Sequence, residues 1–216
     1  SAIVNNSAKK DGGGIYSEAS LMLTDSLVAD NTVTDFDGGG LYLDGSGNTY
    51  TLTKVTVSGN SANMNAGGIL LYQGDLSLNN VTITDNTSSN DGAGILAYDT
   101  INMRNSIIGG NTVTNDVTGD DCNGSIVSQD YNLAQGVSCL AAPAAHDITG
   151  VSPLLNPLAD NGGLTQTHSL GAGSPAMNAG NNATCAATDQ RGIARPQGTK
   201  CDIGAFETEM LSLTLR

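Results

Sequence analysis

Residues 37–41 read Asp-Gly-Gly-Gly-Leu, and this short motif decides the fold because related copies recur along the chain. Each copy joins an acidic or amide residue to two or three glycines and is followed at once by an aliphatic residue. The four copies are Asp11–Ile15, Asp37–Leu41, Asn65–Ile69 and Asp91–Ile95. Glycine is favoured where the backbone needs a positive φ or where two backbones approach closely. A glycine-rich corner that returns about every 26 residues indicates a repeat protein.

Asparagine recurs at the same position of each repeat, and four of its five copies precede a glycine corner by five or six residues. The column consists of Asn6, Asn31, Asn60, Asn86 and Asn111. An amide both donates and accepts hydrogen bonds, so stacked copies can form a ladder in which each side chain bonds its equivalents in neighbouring coils. Such a ladder satisfies polar groups that an inward corner would otherwise leave unpaired. A single residue type that returns at the same position of every repeat is typical of a scaffold. An active site instead needs different side chains that meet at one place.

Aliphatic residues fill further columns at fixed distances before each asparagine. Three residues before it stand Ile3, Val28, Val57, Ile83 and Ile108, and eight before it stand Leu23, Leu52, Leu78 and Met103. Spacing by two within each run places alternate side chains on one face of a strand. Coils of three short strands, stacked about 4.8 Å apart, would bury these columns in one core. The sequence therefore predicts an all-β parallel β-helix with coils of 25–29 residues.

Composition favours strands and turns, and it excludes several kinds of partner. The chain has 28 glycines in 216 residues and only 13% charged residues, whereas average domains contain about 25% charged residues. The net charge of −13 argues against nucleic acid and against an anionic membrane surface, since both require clustered Lys and Arg. No apolar run is long enough to span a bilayer, so direct membrane insertion is not expected.

The four cysteines form two local pairs, Cys122 with Cys139 and Cys185 with Cys201. An even number in two short loops predicts two disulfides and an oxidising compartment. Zinc ligation and free thiols are the alternatives. The chain contains no Cys-X-X-Cys pair, and its two histidines lie far from tetrahedral zinc spacing, so disulfides are the favoured reading.

The regular columns end after Asn111, where a polar acidic stretch leads to Cys122. We therefore predict solenoid coils over residues 1–121. Residues 122–216 are predicted to hold the final coil or coils and an irregular, disulfide-tied cap that covers the open end of the core. The tail 210–216 alternates polar and apolar residues and is predicted to be a last strand.

Two arginines of the predicted cap, Arg191 and Arg195, lie near Asp202 and Glu207 in sequence. Bidentate pairs between guanidinium and carboxylate groups would hold this non-repetitive region in place. A lyase site that combines the arginines with these acids is the catalytic alternative.

Three C-terminal blocks carry a resemblance to a known family. Residues 121–139 read DCNGSIVSQDYNLAQGVSC, residues 152–182 read SPLLNPLADNGGLTQTHSLGAGSPAMNAGNN, and residues 184–207 read TCAATDQRGIARPQGTKCDIGAFE. With the glycine repeats, these blocks resemble bacterial surface proteins of the choice-of-anchor Q type, and the repeats also resemble those of polymorphic outer-membrane proteins. The resemblance implies a right-handed β-helix, secreted or attached to the cell surface and usually the end of a longer protein. The chain begins at Ser1 without a methionine, so we expect a fragment.

Groups that could perform catalysis are sparse in the repeats. Lys54 and Arg104 lie near strands at different phases and are expected to face solvent. Neither His146 nor His168 has a nucleophile partner that the sequence reveals. The sequence therefore predicts no catalytic residue.

Two carboxylates, Asp30 and Asp85, share the phase directly before the asparagine column. One coil separates them, which places them roughly 9–10 Å apart, near the upper range for paired carboxylates of an inverting glycosidase. A solvated turn residue is the alternative that we favour. The acidic turns Asp35–Asp37 and Thr118–Asp121 leave calcium open as a ligand, although neither matches an EF-hand loop; no other cofactor is expected.

The aliphatic and asparagine columns fill the inward positions with side chains that pack or bond within the scaffold. The outer face is left without a set of side chains that converges for catalysis. The sequence therefore predicts a non-enzymatic extracellular module with a structural or adhesive role, with surface glycans or other cell-surface proteins as partners. Two alternatives stay open. One is a carbohydrate-active enzyme fragment of the polysaccharide lyase or hydrolase type, and the other is a self-associating module that forms filaments through an open strand edge.

Overall fold

The structure is a computed structural model that describes residues 1–115 and 121–209. Within these residues it contains strands and no helix, so no helix there could cross a membrane. The strands are Ala2–Val4 (β1), Ser7–Ala8 (β2), Ile15–Ser17 (β3), Leu21–Ala29 (β4), Thr32–Val33 (β5), Leu41–Ser58 (β6), Ser61–Ala62 (β7), Ile69–Thr84 (β8), Thr87–Ser88 (β9), Ile95–Arg104 (β10), Ile107–Ile108 (β11), Thr112–Val113 (β12), Cys122–Ser128 (β13), Leu133–Ala134 (β14) and Ile148–Thr149 (β15). The strand predicted at 210–216 lies outside the described residues.

The strands pair in parallel and form a solenoid. A 10-stranded sheet contains the path β1-β4-β6-β8-β11-β14-β15, and a 5-stranded sheet has the order β12-β9-β7-β5-β2. Each strand pairs with its equivalent one coil away, so that Val28 pairs with Val57 and Val57 with Ile83. The chain thus completes about five turns. The predicted all-β parallel solenoid is confirmed.

The predicted aliphatic columns form the core. Val57, Ile83 and Leu52 are fully buried, and they belong to one continuous cluster that extends through every coil. Burying a Val, Leu or Ile side chain contributes roughly 1.5–3 kcal/mol. No coil could bury this face alone, so the stacking of coils is the main source of stability.

Backbone geometry explains the glycine corners. At Gly92 the φ angle is +51°, in the left-handed region that favours glycine. At Gly39 the reason is space, because a Cβ atom would lie 2.5 Å from the carbonyl oxygen of Gly67 in the next coil. A second column of left-handed residues, which the sequence analysis missed, turns the chain inside the long strands and just after β10. It comprises Asp25, Lys54, Asn80 and Asn105.

The register continues beyond the point at which the sequence predicted its end. Ile126 of β13 pairs with Ile101 of β10, and Leu133 of β14 pairs with Ile107 of β11. The prediction that the register is lost after Asn111 is therefore wrong. The last coil lacks a glycine corner, and the carboxylate of Asp121, at the corner phase of Gly94, takes the place of the next asparagine side chain, so the repeat signal disappears although the strand pairing persists.

A short segment near the first disulfide covers the last coil. Cys139 and Leu140 are buried in the main core cluster, and the disulfide between Cys122 and Cys139 joins this segment to β13. Both predicted disulfides are present, the second between Cys185 and Cys201.

The remaining chain packs along the side of the solenoid and not over its end. We call residues 152–209 the side layer. Ile107 and Leu133 turn outward from β11 and β14 and form a second core with Leu170 and Phe206 of the side layer. Alternate residues of a strand face opposite sides, so Ile108 faces the main core while Ile107 faces the side layer. Residues 152–209 therefore pack beside the core, while the segment that contains Cys139 and Leu140 covers its last coil.

Candidate functional site

The asparagine ladder is continuous and buried. The Nδ2 atoms of Asn31, Asn60 and Asn86 each donate to the Oδ1 atom of the next asparagine at 2.9 Å. The same Oδ1 atoms accept the backbone N–H of the preceding asparagine, as in the bond of 3.0 Å from Asn60 to Asn86. Asp121 continues the ladder by accepting from Asn111. All these polar groups are used within the scaffold, so they offer nothing to a ligand.

The paired carboxylates Asp30 and Asp85 are turn residues. Both have left-handed φ angles, 54° and 57°, and both are exposed. Gly59 and Gly110 adopt the same conformation at the equivalent position. This backbone geometry supports the interpretation that Asp30 and Asp85 are turn residues, because their position in the repeat requires residues that tolerate a left-handed φ angle.

Lys54 does not face solvent, contrary to the prediction. Its side chain is only 13% exposed, and its Nζ lies 2.8 Å from Asp25 Oδ1. It also donates a hydrogen bond of 3.0 Å to Thr188 Oγ1 in the side layer. The prediction failed because the side layer covers this part of the sheet. Arg104 is exposed, as expected.

A buried histidine joins the side layer to the solenoid. His168 Nε2 lies 2.8 Å from Ser58 Oγ, and Nδ1 lies 2.7 Å from the carbonyl oxygen of Asn156. Burial lowers the pKa of His168, which favours the neutral imidazole. In that form Nδ1–H donates to Asn156, and Nε2 accepts the Ser58 hydroxyl. The sequence analysis missed this pair because 110 residues separate its members.

A serine beside a neutral histidine is the arrangement of an activated nucleophile. Here the Ser58 residue is only 2% exposed and His168 is equally buried, so a substrate has no access to the serine oxygen. The pair therefore acts as a clamp between the side layer and β6.

This clamp predicts a pH dependence of stability. Because the folded pKa of His168 lies below its ordinary value of about 6.5, the unfolded chain takes up a proton first as the pH falls. The contribution of His168 is therefore present above pH 6.5 and is lost as the pH falls toward the folded pKa. We expect His168→Gln to destabilise the protein more at pH 8 than at pH 5, measured by urea unfolding. An equal difference at the two pH values would contradict the clamp.

The arginines of the side layer are buried in ion pairs. Arg195 lies 3.3 Å from Glu207, and both side chains are 1% exposed. Arg191 pairs with Asp189 at 2.8 Å and not with Asp202, whose carboxylate accepts backbone N–H groups instead. Burial raises the pKa of Glu207 and lowers that of Arg195. The pinning role of the arginines is supported, and their engagement argues against the lyase alternative.

An open groove with a volume of about 270 Å³ lies on the same sheet beside the side layer, to which one lining residue, Asn79, donates a hydrogen bond. Its lining includes Thr51, Ser77, Asn79, Asn102, Arg104 and Gln129. Strand register places these side chains in rows, since Thr51 pairs with Ser77 and Ser77 with Asn102. The amides of Gln129 and Asn102 bond each other at 3.1 Å. We name this surface the polar groove.

The polar groove offers neutral hydrogen-bonding groups and one cation. Hydroxyl and amide side chains can each donate and accept, which suits a ligand rich in hydroxyl groups. Among the described residues, Arg104 is the one charged group in the lining, and none of them contributes a carboxylate to it. Period-two alternation marks these residues as outward-facing, but no sequence signal separates a binding groove from an ordinary solvated face.

A second cavity of about 340 Å³ lies beside the histidine clamp. Asp85, Gln135, Asn156 and His168 contribute to its lining. Asp85 Oδ2 is 3.9 Å from His168 Nε2. The cavity therefore combines one exposed carboxylate with one neutral imidazole.

The described part of the chain has no cluster of side chains suited to bind a metal ion. Over residues 1–115 and 121–209, no group of three or more His, Cys, Asp or Glu side chains is arranged to hold a metal ion. The acidic turn Thr118–Asp121 lies mostly outside these residues. Calcium at that turn stays a prediction.

Parallel strand ladders, aliphatic columns and a buried asparagine ladder together define the β-solenoid class of proteins. A family model described as the right-handed β-helix region matches residues 1–132, more than half of the chain. The chain belongs to this right-handed β-helix family. No curated protein and no solved structure matches the chain.

Proposed function

We propose that the chain is a non-enzymatic structural module of a bacterial cell-surface or secreted protein of the choice-of-anchor Q type, and that it binds glycan chains in the polar groove. The observation that carries the proposal is the composition of the groove. Rows of hydroxyl and amide groups, repeated from coil to coil, match the repeating hydroxyl groups of a saccharide chain.

The extracellular location is supported by the two disulfides. Disulfides persist in oxidising environments and are rare in the reducing cytosol. The polar, acidic composition is compatible with a surface module, because a net charge of −13 favours solubility.

Binding without cleavage is supported by the position of the ionisable groups. Glycoside hydrolysis uses two carboxyl groups on either side of the scissile bond, and the described part of the chain contributes none to the groove lining. The guanidinium of Arg104 in the lining donates hydrogen bonds and can orient a ligand.

The proposal predicts that loss of the groove amides weakens glycan binding. A glycan array should identify a ligand for the wild-type chain, and Asn102→Ala combined with Gln129→Ala should reduce its affinity about 10-fold, as expected for one or two lost hydrogen bonds. Thr24→Ala, on an exposed position of the same sheet outside the groove lining, serves as the matched control and should bind normally. Absence of any glycan ligand, or equal loss in the control, would contradict the proposal.

A carbohydrate-active enzyme is the second candidate, and the cavity beside Asp85 and His168 is the observation that favours it. This candidate requires release of reducing ends from a polysaccharide. Asp85→Asn should then abolish turnover, because Asp85 is the carboxylate in that cavity. Binding by the polar groove without product release from any polymer would leave the structural module as the better account.

A further inference from the structure

Four tyrosines form a stripe along the outer face that follows the glycine corners. The tyrosine stripe consists of Tyr16, Tyr42, Tyr72 and Tyr98, with successive ring centroids 5.3, 6.3 and 5.7 Å apart. Tyr16, Tyr72 and Tyr98 are 46%, 45% and 63% exposed. Exposed aromatic rings that are contiguous over several coils are unusual on a soluble surface and mark interaction sites.

Carboxylates border the stripe on both sides. Glu18 lies one residue beyond the end of β3, where it accepts a hydrogen bond of 3.1 Å from the Tyr16 hydroxyl, and Asp44 follows Tyr42 by two residues in β6. On the other side stand the corner residues Asp11, Asp37 and Asp91. None of these five carboxylates forms an ion pair within the described residues.

The carboxylates face the ring oxygens closely enough to affect them. Burial raises the pKa of Tyr42, and the negative charges of Asp11, Asp44 and Asp37 raise it further. The Tyr42 phenol therefore stays neutral at physiological pH, and the surface around it has a negative potential that no ion pair among the described residues neutralises.

We propose that the tyrosine stripe docks a Lys- and Arg-rich segment of a partner protein. The stripe and its borders present oxygen acceptors, and the guanidinium and ammonium groups are donors without any acceptor. The aliphatic stems of Lys and Arg can pack against the exposed ring edges and the open face of Tyr98 while their cationic ends reach the carboxylates. Opposite charges also steer the two surfaces together.

The stacking geometry favours such a segment over a glycan. Tyr42 lies within 27° of the planes of both Tyr16 and Tyr72, so neighbouring rings cover part of each other's faces. A sugar ring stacks on an open aromatic face, and only Tyr98 is turned away from its neighbour, at 76° to Tyr72. The border carboxylates are partly used within the chain, since one oxygen each of Asp11, Asp37 and Asp91 accepts an N–H group, and their charge remains available to cations.

The test uses the full chain and an octapeptide of alternating arginine and glycine. The chain has no tryptophan, and four of its six tyrosines form the stripe, so tyrosine fluorescence reports mainly on the stripe. We expect quenching on binding, with an affinity that falls as salt rises from 50 to 200 mM. Glu18→Gln combined with Asp44→Asn should weaken binding about 10-fold, and Tyr98→Ser about 3-fold, as charge and ring contacts are lost.

A charge-matched control separates a docking surface from the general acidity of the chain. Asp30→Asn combined with Asp85→Asn removes the same charge at exposed turns elsewhere and should change the affinity less than 2-fold, since exposed charges at a distance are screened. Equal weakening in both double variants would overturn the proposal. So would salt-independent binding of a neutral glycan that Tyr98→Ser abolishes. The groove variant Asn102→Ala should bind the peptide normally, so this test is independent of glycan binding in the polar groove.

Discussion

Replacing Arg195 with methionine is expected to lower the free energy of unfolding by about 3–5 kcal/mol, the usual cost of removing one partner of a buried ion pair. Arg195 lies against Glu207, and both side chains are 1% exposed. The guanidinium also donates to the backbone carbonyls of Asp202 and Gly204. Methionine keeps most of the volume but removes the cation beside the buried carboxylate, which keeps backbone N–H donors, and it takes one donor from each of the two carbonyls. Urea unfolding followed by circular dichroism measures the loss.

The matched control for this change is Arg104→Met, because Arg104 is exposed and a surface substitution usually changes stability by less than about 0.5 kcal/mol. In the Arg195→Met protein, the unpaired Glu207 carboxyl should bind a proton more readily than in the unfolded chain. Its folded pKa is then raised, so the destabilisation should be smaller at pH 5 than at pH 7. Equal stability of the two methionine variants would show that the ion pair does not hold the side layer.

Asn86→Ala should also cause a large loss of stability, roughly 3 kcal/mol or more, since each buried group left unpaired costs about 1–3 kcal/mol. The Asn86 Nδ2 atom donates to Val57 O, Thr84 O and Asn111 Oδ1 at 2.9–3.0 Å. Its Oδ1 accepts both the backbone and side-chain N–H groups of Asn60. Alanine removes all of these bonds from a site without solvent.

Asn6→Ala is the control for the ladder. Asn6 occupies the same phase and donates to Asn31, but it is exposed, so water can replace its lost partner. We expect its effect to stay below about 1 kcal/mol. Both ladder variants should bind glycans and the arginine peptide normally when folded. An unchanged thermal midpoint for Asn86→Ala would contradict a structural role of the ladder.

The sequence revealed the features that repeat. A column such as Val28, Val57 and Ile83 can be recognised because one physical requirement, burial between neighbouring coils, acts at every turn. The asparagine ladder was predictable for the same reason. Where the requirement changed, as at Asp121 in place of an asparagine, the periodic signal ended although the solenoid continued.

Features that occur once could not be predicted. The bonds of Ser58 to His168 and of Thr56 to Gln190 join residues 110 and 134 positions apart, and neither pair belongs to a column. Lys54 was expected in solvent because nothing in its own coil covers it. The tyrosine stripe was also hidden, since Tyr72 follows its corner at a different offset from Tyr42.

The side layer has a consequence for how the length of this protein can vary. Its hydrogen bonds to the solenoid begin at Lys54 and extend to Asn105. Inserting one coil between these points would displace one set of bonds by about 4.8 Å relative to the other and break it. A coil duplicated ahead of Asp25 would leave every one of these bonds in register. Gene duplication can therefore lengthen the solenoid on the N-terminal side of Asp25, while the coils beneath the side layer are fixed in number.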